Sequence, residues 1–129
     1  MQIKMNNETT LEAMAVNGAS RYFQGANRDS LEIQLEKGKY TLESLDALTG
    51  NPENTKKVTI LDGENEYIHD NYTLRAELSV HPVQTTSETA EGPAMYEERV
   101  CIVLAQKSYA ELELESLRDT VDKLVLAAL

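Results

Sequence analysis

The chain has 129 residues, with 22 acidic side chains against 12 basic ones and a formal net charge of -10. That length suits one domain able to bury roughly two thirds of its extended surface without disulfide or metal staples. The acidity argues against a phosphate-binding groove or an anionic membrane surface as partner, and it leaves solubility, or attraction to a basic partner, as what the charge can do.

A lone cysteine, Cys101, excludes an internal disulfide framework. It stands in the apolar run Val100 to Leu104, so a buried, inert thiol is expected. The amino terminus Met1 to Asn7 lacks the apolar core of a signal peptide, and no apolar run approaches the roughly 18 residues that cross a bilayer. Both features point to a soluble product made in a cytoplasm, so the acceptor patterns Asn7-Glu8-Thr9 and Asn71-Tyr72-Thr73 read as chance matches.

In chain order, Gln2 to Met5 reads as a short strand and Asn6-Asn7 as a turn. From Thr9 the set Leu11, Ala13 and Ala15 alternates with Glu12, Met14 and Val16 and reads as a strand, and Asn17-Gly18, a strong short hairpin signal, predicts a turn into a second strand over Ala19 to Gln24. Gln24 to Asp29 then reads as a polar connection. Leu31, Ile33 and Leu35 alternate with Glu32, Gln34 and Glu36, the pattern of a strand with one buried face. Lys37-Gly38-Lys39 breaks it, and Thr41 can cap a short helix carrying Leu42, Leu45 and Leu48, with Gly50 placed to end it. Asn51 to Asn54, with Pro52 inside, reads as a turn.

Lys57 to Leu61 is the next predicted strand, with Val58 and Ile60 on one face, and Asp62 to Asn65 turns the chain into Glu66 to His69. Tyr72 to Val83 shows the longest alternation, with Tyr72, Leu74, Ala76, Leu78, Val80 and Pro82 facing one way. Gln84 to Ala94 holds nothing to bury and predicts a long hairpin connection. Arg99 to Ala105 supplies the last strand. The sum is an α+β fold: a β-rich antiparallel sheet, sandwich or barrel over residues 1–107, with one short internal helix, followed by a C-terminal amphipathic helix over 108–129.

That last helix carries the functional content. Ser108 and Glu111 have the spacing of a capping box, in which each side chain accepts from the other's backbone amide. Ala110, Leu114, Leu117, Val121, Leu124 and Ala128 recur at steps of four and three, a heptad seam. Leu112, Val125, Leu126 and Leu129 lie off that seam and make the last turns apolar nearly all round. One bland arrangement packs the helix on its own sheet. The excess apolar surface favours contact with other chains, through Ala110, Leu114, Leu117, Val121, Leu124, Val125 and Ala128.

No other constellation suggests chemistry. His69 and His81 fall on different predicted elements, with no cysteine or carboxylate at ligand spacing, so no metal is expected. The acidic turn at Asp62 lacks the ligand period of a calcium loop. Glycines are scattered singly, which excludes the phosphate loops, and no basic patch is interleaved with aromatics. Neither a cofactor nor a small-molecule substrate is therefore expected, and no carboxylate pair stands out for acid and base work.

The order and local wording of several segments resemble a known class. These segments are Ser30 to Leu35, the helix Leu42 to Leu48, Lys57-Val58-Thr59-Ile60-Leu61-Asp62-Gly63, Tyr67 to Leu74, and the helix opening Ala105-Gln106-Lys107-Ser108-Tyr109-Ala110-Glu111-Leu112. Together they resemble small tail or baseplate-associated proteins of bacteriophages and prophages of Gram-positive bacteria, over approximately residues 19 to 129. The resemblance implies a non-enzymatic virion part in a ring or trimer, with itself and other tail proteins as partners, and without nucleic acid or membrane. It implies no functional residue. The alternative is an acidic intracellular adaptor or regulator bound to a basic protein, whose complex would weaken steeply with salt.

Overall fold

Apolar rows on the strands determine the architecture: the sheet faces that carry them gain by leaving water, and two sheets facing each other satisfy both. The computed structural model describes residues 1–128. Its strands are β1 (Gln2–Lys4), β2 (Thr10–Glu12), β3 (Ala15–Phe23), β4 (Ala26–Glu36), β5 (Lys57–Asp62), β6 (Asn65–Asp70), β7 (Leu74–Thr86) and β8 (Met95–Ala105). Its helices are α1 (Leu42–Thr49), α2 (Pro52–Thr55) and α3 (Tyr109–Ala128). The fold is α+β, as its sequence pattern predicts.

Two four-stranded sheets form, in the orders β2-β1-β5-β6 and β3-β4-β8-β7, and all named pairings are antiparallel. Each sheet is open, so the barrel alternative is not the one taken. Between them lies one core. Ile3, Leu11 and Val58 come from the first sheet, Leu31, Ile33, Leu35, Val100, Ile102 and Leu104 from the second, and Leu45 from α1. The register explains the selection: Leu31 lies opposite Leu104, Ile33 opposite Ile102 and Leu35 opposite Val100, so the apolar rows of β4 and β8 coincide.

Local signals position α1. The Thr41 hydroxyl accepts from the Ser44 amide at 3.1 Å, an N-cap. Gly50 is the C-cap, its amide donating to the Asp46 carbonyl at 2.8 Å, and a β-carbon there would lie 2.6 Å from that oxygen, so a larger residue would not fit without a shift. Next, Asn51 to Asn54 departs from its expected turn. Asn51 accepts from the Glu53 amide at 3.1 Å and Pro52 takes the first helical position, so a four-residue helix forms instead.

Three further departures concern strands. The predicted strand over Thr9 to Val16 is broken after Glu12, and β3 then runs straight through Asn17-Gly18. The hairpin turn expected there lies instead at Gln24-Gly25, whose φ values of 49° and 82° are those of a tight hairpin. The cause is pairing: Ala15 to Phe23 lie opposite Ala26 to Gln34 in unbroken register, and that ladder outweighs the turn preference of two exposed residues. The polar connection expected over Gln24 to Asp29 is accordingly mostly strand. Finally, the alternation of β7 is interrupted by a register shift between Arg75 and Glu77, a bulge. Leu78 and Val80 lie opposite Ile102 and Val100, whereas Leu74 lies opposite Ala105, so Leu74 and Leu78 do not share a face. Arg75 is turned to the helix side and pairs with Asp46 of α1.

Candidate functional site

The helix α3 begins where β8 ends, and its start is built from both directions. Within the helix the capping box closes as its spacing predicts: the Ser108 hydroxyl accepts from the Glu111 amide at 3.2 Å, and the Glu111 carboxylate accepts from the Ser108 amide at 3.0 Å. From the sheet side comes Arg28 of β4, whose side chain is 1% exposed. Its Nε donates to the Phe23 carbonyl at 2.7 Å, and its two terminal nitrogens donate to the Gln106 and Gln24 carbonyls, each at 3.1 Å. The same guanidinium also meets the Glu111 carboxylate.

A buried cation is costly unless its donors are used, and here the fork geometry of guanidinium uses them on three carbonyls and a carboxylate. The Arg28 hydrogen bond, reinforced by those of Ser108, holds the Glu111 carboxyl down to about 2. Two more bonds fix the connector: the Gln106 amide donates to the Asp29 carbonyl at 3.0 Å, and its side chain to the Asp70 carbonyl at 2.8 Å. Sequence reasoning identified Glu111 as a cap but missed Arg28. The two are 83 residues apart, and nothing local to either announces the other.

Beyond this anchored first turn the helix leaves the domain. Glu111 is half-buried, and every other described residue of α3 is exposed. The seam residues Ala110, Leu114, Leu117, Val121, Leu124 and Ala128 thus lie along one open stripe, with Val125 beside it. Leu114 is 62% exposed, Leu117 61% and Leu124 65%, and Leu126 on another side reaches 70%. The structure brings none of them against either sheet. Leu129 lies outside the described residues. Along the polar flank Lys107 pairs with Glu115, and the Tyr109 hydroxyl donates to Glu113 at 2.7 Å, which raises the Tyr109 pKa.

Other polar side chains pair with one another on the sheets. On the second sheet's outer face Glu77 accepts from Arg21 at 2.9 Å and from Ser79 at 3.0 Å, with His81 at 3.7 Å. Arg21 chiefly holds the Glu77 carboxyl below its ordinary range. His69 stacks edge-on to Tyr72, with ring centres 5.7 Å apart. Cys101 is fully buried and burial pushes its thiol pKa up, the environment expected of an inert cysteine. Among the described residues no three His, Cys, Asp or Glu side chains converge as metal ligands, and no helix is long and apolar enough to cross a membrane.

Comparison with protein-family models, with curated proteins and with solved structures finds no match to this chain.

Proposed function

We propose that this chain is a non-enzymatic assembly subunit that joins other copies of itself through α3, and that it serves as a structural part of a phage tail or related particle. One observation carries the first half: a 20-residue helix stands off its own domain with a continuous apolar stripe in water. Most of a helix's stability in a protein comes from packing its apolar face rather than from propensity, and exposed apolar stripes of this kind mark contact surfaces. The second half rests on the segments quoted above for their resemblance to tail and baseplate-associated proteins.

Light scattering coupled to size separation tests the self-association. The intact chain should give a multiple of its 14.4 kDa mass, and a chain ending at Lys107 should give a single copy. A single copy for the intact chain at tens of micromolar would refute the proposal. Particle membership is tested by the neighbouring genes, which should encode virion structural proteins.

A further inference from the structure

The open stripe of α3 also carries information about direction. In heptad terms Leu114, Val121 and Ala128 occupy the a positions and Ala110, Leu117 and Leu124 the d positions. The flanks follow from that register: Glu113 and Thr120 are g residues, and Glu111, Arg118 and Val125 are e residues. In a parallel, in-register pair the g residue of one helix faces the e residue five positions further along the other. Glu113 and Arg118 stand at that separation. The two copies would therefore make the same Glu113 to Arg118 ion pair twice, once on each side of the seam.

The opposite orientation fits poorly. Full antiparallel overlap of the six seam residues sets Leu117 against Val121 of the second copy, and it brings e residues against e residues. Arg118 would then face Arg118, and Glu111 would face Val125. Both contacts are unfavourable, the first by like charge and the second by desolvating a carboxylate. Arg118 has no ion-pair partner in its own chain among the described residues, so it is free for an intermolecular one. Val121 at a, between Leu117 and Leu124 at d, gives the central layer the combination that favours two strands, which Leu114 and Ala128 at the other a positions do not.

We infer that the occupant of the α3 stripe is a second copy of this chain, aligned parallel and in register, with Glu113 of each copy paired to Arg118 of the other. This rests on the self-association reading above and specifies its geometry. Both domains then lie at the same end of a short two-stranded stalk.

Sedimentation equilibrium on the full chain at low salt tests the pairing. R118E turns two attractions into two repulsions and should raise the dimer dissociation constant about ten-fold, as should E113R, since exposed pairs of this kind are individually modest. The double variant E113R/R118E should return to within about two-fold of the starting chain, because the swapped charges pair again. Oxidation of L117C should join two copies, since d residues face each other in the parallel pair; buried Cys101 does not compete. If the starting chain dimerises but the double variant does not recover, the pairing is wrong. If a mixture of L117C and V121C cross-links while L117C alone does not, the orientation is wrong. A starting chain that stays monomeric removes the self-association reading itself.

Discussion

Replacing Arg28 by alanine should be the most damaging single substitution of a charged residue. Its side chain is 1% exposed and donates to three backbone carbonyls besides the Glu111 carboxylate. Removing it leaves the carbonyls of Phe23, Gln24 and Gln106 without this donor, at about 1 kcal/mol each in net stability. The loss at the carboxylate is excluded from that sum, because Glu111 is 41% exposed and water can replace the contact. About 3 kcal/mol should therefore be lost. With a urea dependence of roughly 1.5 kcal/mol per molar for a domain of this size, the unfolding midpoint should fall by about 2 M with its slope unchanged. The assay is urea titration followed by far-ultraviolet circular dichroism at one fixed protein concentration, because the proposed self-association would couple stability to concentration. Arg21→Ala is the control: its pairing with Glu77 lies on a half-exposed face and should cost under about 1 kcal/mol. If Arg28→Ala and Arg21→Ala lower the midpoint equally, the buried fork is not what anchors the helix.

Acid should weaken the same anchor. The Glu111 carboxyl sits at about 2 in the folded chain against an ordinary 4.5, so its contribution is complete above 4.5 and is lost as pH falls from there through 2. The difference in Tm between the natural chain and E111Q should accordingly be constant near neutrality and shrink across that acid window. Glycine substitutions separate the two turn candidates: Gly25→Ala, at φ 82°, should destabilise by about 1 kcal/mol, whereas Gly18→Ala, in a strand with nothing near its missing β-carbon, should be neutral or stabilising in the same urea titration. Thiol labelling of Cys101 should be negligible in the folded chain and complete in denaturant, since the sulfur is fully buried.

Features that depend on neighbours in sequence were legible before the fold was known. Thr41 and Gly50 bound α1, Ser108 and Glu111 close the cap of α3, and the alternation of Leu31, Ile33 and Leu35 marks a buried strand face. What escaped depends on pairing at a distance. Asn17-Gly18 carries a hairpin signature, yet the ladder with β4 holds it extended, and the turn falls at Gln24-Gly25, where a strong dipeptide signal is lacking. The bulge near Ala76 is likewise invisible in an alternation that reads as continuous, because one extra residue changes the facing of side chains without altering composition. The exposed stripe of α3 shows its apolar spacing in the sequence. The arginine that steadies its root does not show, since its partners are carbonyl groups and a carboxylate from distant segments.

One residue links folding of the second sheet to the start of α3. Glu111 both completes the helix start and grips an arginine that only a finished strand can present. A chain whose second sheet had not formed would lack that grip, its first turn would fray, and a seam only about three heptads long has no turn to spare. In the assembly proposed above, copies with an unfinished second sheet would therefore join poorly.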